Sequence, residues 1–141
     1  MVALPFCHFE LRAARSKPAN CPHKINNLGG HIRARRLDLK LLQRQVADQI
    51  GVHEMTITLW EGNATVPEVR YMPAIIQFLG YNPLPAASSL SERLATTRRM
   101  LGLSQRKMAR KLGVDPATLT GWEAGRHQPN RKSMELIGKV F

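Results

Sequence analysis

Leu103 to Pro129, LSQRKMARKLGVDPATLTGWEAGRHQP, reads as two short helices joined by a tight turn and followed by an exit loop. Ser104 is placed to N-cap the first helix. Met108, Ala109 and Leu112 then fall at i, i+1 and i+4, which gives that helix one narrow apolar face. Gly113 stops it, because a glycine supplies the positive φ that a helix end commonly takes. Asp115 and Pro116 start the next helix: the aspartate caps free N–H groups, and proline is tolerated at the first helical position. Leu119 and Trp122 lie three apart on the inner face of this second helix. Ala117, Thr118, Thr120, Gly121 and Ala124 are left on or near its outer ones.

The same pattern is written twice. Shifting the chain by 62 positions lays Leu28–Leu79 over Leu90–Phe141 without a gap. Leu28, Arg36, Leu39, Leu41, Gln43, Arg44, Ala47, Gly51, Val52, Thr56, Thr58, Trp60, Glu61, Pro67, Met72 and Ile75 then meet their own residue type. Ordinary composition would give roughly three such matches by chance, so the repeat implies two similar small units. The chain divides into an irregular basic leader (1–27), a first unit (28–81), a linker (82–89) and a second unit (90–141). A domain of this size buries only about 60% of its unfolded surface, so each unit is expected to be marginal alone.

Each unit opens on a helical stripe, Leu28, Ile32, Arg36, Leu39 and again Leu90, Leu94, Arg98, Leu101. The arginine takes the third place on an apolar face in both copies, where an unpaired charge costs several kcal/mol. Its partner should recur as well. Glu61 and Glu123, each directly after the tryptophan of the third helix, fit, so the repeat predicts the ion pairs Arg36–Glu61 and Arg98–Glu123. The alternative is that both arginines reach out to solvent.

The first copy departs from the second in three places: Leu42 stands for Ser104, His53 for Asp115 and Leu59 for Gly121. Loss of a cap costs about 1 kcal/mol, so the first unit is expected to be the less stable. Met72, Ile75, Ile76 and Leu79 give a fourth helix its inner face, and Met134, Ile137, Val140 and Phe141 do the same in the second copy. Between the units, Asn82 to Ser89 is stiffened by Pro83 and Pro85 and spans at most about 25 Å. The leader carries Pro5, Pro18 and Pro22 and four basic residues, Arg12, Arg15, Lys17 and Lys24, against Glu10. Its Phe6, Phe9 and Leu11 could dock on the first unit or on another chain and its basic residues could reach a phosphate backbone, or it could lack a specific role.

The formal charge is +11 with a pI of about 10.7, which favours an anionic partner. Residues 28–83 hold six Lys and Arg against five acids, whereas 90–141 hold eleven against four. The second unit, at +7 against +1, is therefore the better electrostatic match to nucleic acid. No apolar run approaches a membrane span, and the start of the chain lacks the pattern of a targeting segment, so a cytoplasmic protein is expected. Cys7 and Cys21 are too few for a disulfide scaffold, and with His8 and His23 they match no common zinc spacing. Neither metal nor other cofactor is expected. The histidines are scattered, and no nucleophile sits in an elbow or glycine-rich phosphate loop, which argues against an enzyme and a small-molecule substrate.

With Gln43, Ala47, Gly51, Trp60, Glu61 and Pro67, and again Gln105, Ala109, Gly113, Trp122, Glu123, Gly125 and Pro129, each unit resembles the lambda-repressor-like, or XRE, helix-turn-helix family. The resemblance implies an all-α fold of two tandem bundles, each of four to five helices. It also implies sequence-specific binding of double-stranded DNA by a bacterial or phage transcription regulator, often a dimer. By the same likeness the recognition helices are about 54–62 and 116–124, with Glu54, Met55, Thr58, Leu59, Pro116, Ala117, Thr120 and Gly121 facing bases. Gln43 and Gln105 would donate to phosphates. Arg44, Arg106, Lys107, Arg126, Arg131 and Lys132 are the further phosphate candidates. None of the base-facing set is Arg, Lys, Asn or Gln, the strong base readers. Shape readout would then share the task, or Met55 and Leu59 would serve a protein partner or a second copy of the chain, as in an antitoxin-like or recruitment factor.

Overall fold

The computed structural model describes residues 27–140 and is all-helical, with no strand among them. The first four helices are α1 (Leu28–Asp38), α2 (Gln43–Ile50), α3 (Glu54–Glu61) and α4 (Met72–Leu79), the last preceded by a 3-10 turn at Val69–Tyr71. The next four are α5 (Leu90–Met100), α6 (Gln105–Leu112), α7 (Pro116–Glu123) and α8 (Arg131–Gly138). The bounds of α5, α6 and α7 are those of α1, α2 and α3 moved by 62 positions.

Turn chemistry fixes these bounds. Lys40, Gly51 and Asn63 take left-handed backbone at φ 53°, 81° and 57°, and their counterparts Gly102, Gly113 and Gly125 do so at 68°, 68° and 69°. Side chains close the helix starts. Asn27, Ser89, Ser104, Asp115 and Asn130 each accept a backbone N–H of the first turn, Asp115 from Ala117 at 2.8 Å. The expected loss of caps in the first unit is only partial. The imidazole Nδ1 of His53 accepts from the Met55 N–H at 3.2 Å, and the Gln45 side chain accepts the Leu42 N–H at 2.8 Å.

Two apolar cores form. Leu94, Met108, Ala109, Leu112, Leu119, Trp122 and Ile137 make one. Their counterparts 62 positions earlier, Ile32, Val46, Ala47, Ile50, Ile57, Trp60 and Ile75, make the other, extended by Phe78 and Leu79. Phe78 was not anticipated as a core residue. Conversely, Leu39 and Leu101, both 43% exposed, are not core: each is the C-cap of its helix, so the stripe runs past the helix that would carry it inward. Met134 is also exposed, at 41%, where Met72 is buried at 5%. Phe141 and the leader residues 1–26, with Cys7, His8, Cys21 and His23, lie outside the described residues.

Residues 82–89 do not act as a free spacer. Asn82 donates to the Met100 sulfur at 3.6 Å, and Gly102 approaches α4 so closely that a Cβ there would lie 2.9 Å from Pro73. The helix ends of the two groups therefore touch.

Candidate nucleic-acid interface

The α6–turn–α7 corner is held from behind by a four-residue clamp. Arg98 on α5 donates from Nε to Glu123 Oε1 at 2.6 Å and from its second terminal nitrogen to Oε2 at 3.0 Å, a two-pronged pair. Its remaining nitrogen donates to the Leu103 carbonyl at 3.0 Å, which fixes the turn before α6. Gln105 Nε2 donates to Glu123 Oε2 at 3.0 Å, tying the start of α6 to the end of α7. The side chains of Arg98 and Glu123 are only 10% and 7% exposed.

The clamp recurs in full 62 positions earlier. Arg36 donates to Glu61 at 2.7 and 2.8 Å and to the Leu41 carbonyl at 3.1 Å, and Gln43 donates to Glu61 at 3.0 Å. The hydrogen bond to Glu61 holds the Arg36 guanidinium above its ordinary pKa, against the opposing effect of burial. Both arginines therefore satisfy their charge inside the protein instead of reaching solvent. Gln43 and Gln105 also belong to the clamp. Their amides face the buried glutamates, and one of the two N–H groups of each is engaged there.

The outer faces of α3 and α7 carry the remaining candidates. Glu54, Met55, Thr58 and Leu59 are exposed, Met55 at 59% and Leu59 at 37%. Pro116 and Ala117 are exposed and Thr120 is half-buried. The threonine hydroxyls are already committed as donors: Thr58 to Gln43 Oε1 at 3.0 Å, Thr120 to the Pro116 carbonyl at 2.8 Å. Each can still accept a hydrogen bond and present its methyl group. Gly121 differs from the other three in having no side chain. It is buried, because the ring of His127 covers it; a Cβ at 121 would lie 2.8 Å from His127 Cδ2.

Exposed basic side chains lie on the segments that flank α7 in the chain. Arg106 and Lys107 in the first turn of α6, Arg126 in the exit loop, and Arg131 and Lys132 in the first turn of α8 are all exposed. Among the described residues only Arg131 of this set has an acidic ion-pair partner, Glu135 at 3.7 Å, on a surface pair of little energetic weight. Arg44 is likewise exposed on α2. No cluster of three or more His, Cys, Asp or Glu among the described residues could hold a metal, and no helix among them is long and apolar enough to cross a membrane. Sequence reasoning did not single out His127; a small residue at 121 paired with a ring at 127 was the available signal.

No curated protein and no solved structure matches the chain. Residues 94–141, from the middle of α5 through the clamp, the turn and α8, match the family model described as helix-turn-helix.

Proposed function

We propose that this chain is a sequence-specific DNA-binding transcription regulator with two tandem helix-turn-helix units, α3 and α7 entering the major groove. The observation that carries this reading is the exposure of Arg106, Lys107, Arg126, Arg131 and Lys132 on the segments that flank α7 in the chain, with α7 tied to α5 and to the start of α6 by the Arg98–Glu123–Gln105 clamp. Positive side chains on either side of a helix suit phosphates that flank a groove, while the helix itself meets base edges. The first unit shares the clamp but has a net charge of only +1, so the second supplies most of the electrostatic affinity. The units correspond to residues 28–81 and 90–141 and follow one another head to tail, which suits two unlike half-sites in direct repeat.

The test is binding selection by the full chain on random duplex DNA, followed by affinity measurements over a range of salt. A recovered motif, with a salt slope that falls by about 0.9 for each phosphate-binding basic residue replaced by Ala, supports the reading. No enrichment at low salt overturns it.

A second reading rests on Met55 and Leu59. Two exposed apolar side chains on the outer face of α3 suit a protein partner better than a base edge. On that reading the first unit is a recruitment or antitoxin-like module, and Met55→Asp would abolish partner capture while sparing DNA binding by the second.

A further inference from the structure

The outward positions of α7 are short of hydrogen-bonding chemistry. Pro116 presents a ring, Ala117 a methyl group, Thr120 a hydroxyl whose proton is engaged, and Gly121 nothing. Thr118 beside them is exposed and carries a hydroxyl, but these four positions themselves offer a base no free side-chain donor.

The exit loop supplies one. The backbone N–H groups of Arg126 and His127 both donate to the Gly121 carbonyl, at 2.9 and 3.4 Å, so the loop is pinned to the last turn of α7. That bonding lays the His127 imidazole across Gly121, where a Cβ would come within 2.8 Å of its Cδ2. The ring occupies the volume that a side chain at 121 would fill. His127 is nevertheless exposed, and its ring nitrogens make no hydrogen bond among the described residues. The corresponding pair in the first unit is Leu59 and Thr65, with the large side chain on the helix and the small one on the loop. Between the copies the bulk has moved from helix to loop, and the group has changed from apolar to hydrogen-bonding.

We propose that His127 is a base-reading residue of the second unit, supplying from the exit loop a donor that Pro116, Ala117, Thr120 and Gly121 lack. This rests on the DNA-binding reading above. A neutral imidazole carries one N–H donor and one acceptor, and the major-groove edge of guanine presents two acceptors, N7 and O6. A guanine contact is therefore the assignment. Gly121 serves as the positioning residue, since any side chain there would push the ring away.

The test starts from the motif selected by the full chain on random duplex DNA, and compares parent, His127→Ala and Gly121→Ala on that site and on its single-base variants. His127→Ala should lose about tenfold or more on the selected site, with discrimination flattened at one G·C pair and the salt slope unchanged. Gly121→Ala, a change that favours the helix, should reproduce the same loss, and the double variant should lose no more than either. Thermal melts within a few degrees of the parent would show that the fold is retained. A uniform weakening on every sequence with a shallower salt slope would make His127 a phosphate contact and overturn the proposal. So would an unchanged base preference in either variant. A parent that selects no motif overturns the DNA-binding reading itself, and this inference with it.

Discussion

Arg98 is the residue whose removal should matter most, and its environment fixes how much. In Arg98→Ala the Glu123 carboxylate, 7% exposed, keeps only the Gln105 amide, and the Leu103 carbonyl loses its side-chain donor. Deleting one partner of a buried pair costs about 3–5 kcal/mol, and the abandoned carbonyl pushes the loss toward the upper end. For a domain of this size each kcal/mol moves the melting temperature by about 4–8 °C, so a drop of about 12 °C or more is expected. The two tryptophans separate the outcomes, because Trp60 lies in one core and Trp122 in the other. In Arg98→Ala the NMR indole signal of Trp122 should collapse toward its unfolded position while that of Trp60 stays; Arg36→Ala should do the reverse. Replacing both partners together, Arg98→Met with Glu123→Leu, should recover most of the loss, since the penalty comes from the stranded charge. A melting temperature within about 3 °C of the parent in Arg98→Ala, or a double variant as weak as the single, would refute the reasoning.

Three further expectations follow from single positions. Gly102 and Gly113 share a φ of 68°, but a Cβ at 102 meets Pro73 whereas one at 113 meets nothing within 4 Å. Gly102→Ala should therefore lose at least about 1 kcal/mol more than Gly113→Ala in urea denaturation, and equal losses would mean that the helix groups do not touch at Pro73. A Cβ on Gly29 would lie 1.8 Å from the Trp60 carbonyl oxygen, so Gly29→Ser should cost about 3 kcal/mol or more by thermal melting, although serine is native at the corresponding position 91. The Glu92 carboxyl is held below its ordinary pKa, first by the Ser88 hydroxyl and then by the Ser88 and Ser89 N–H groups. A depressed folded-state value means that this contribution is complete above the ordinary carboxylate pKa and fades as pH falls through the folded one. Acidification should lower the protection of the Ser88 and Ser89 amides, measured as hydrogen exchange relative to the intrinsic rate at each pH, and Glu92→Gln should remove that acid dependence.

Much of this architecture was legible because the sequence states it twice. The apolar positions of the helices, the glycine turns and the need for a buried counter-charge all follow from period and repetition, and the clamp follows from asking which acid recurs with the arginine. The unreadable parts share a physical cause: a side chain's direction is set by atoms distant in sequence. Leu39 and Leu101 continue a helical stripe on paper, but each helix has ended, and a period carries no information once the backbone stops following it. His53 escapes the usual list of caps because an imidazole acts as one only with the right nitrogen turned to the backbone. Gln43 and Gln105 each give one amide N–H to a glutamate, because those carboxylates have acceptor capacity left over from the arginines. Gly121 has no side chain to reveal its surroundings, and the ring above it comes from a loop six residues on.

The two halves keep a common frame and differ on its outside. Seven core positions, three left-handed turns and the four bonds of the clamp recur at the same offset. Each of these fixes the placement of α3 or α7 relative to the helix before it, so the two helices are presented by their supports in the same way. The differences fall where a partner would be met: Met55 against Ala117, Leu59 against Gly121, Thr65 against His127, and a net charge of +1 against +7. Core pairs change too, as in Ile32 against Leu94, Val46 against Met108, Ile50 against Leu112 and Ile57 against Leu119, but each stays apolar, whereas the outer faces change in chemistry and suit different surfaces. On the proposed reading, a single chain with two similar scaffolds and two unequal faces is suited to an asymmetric target, the second unit providing the electrostatic hold and the first an apolar contact through Met55 and Leu59.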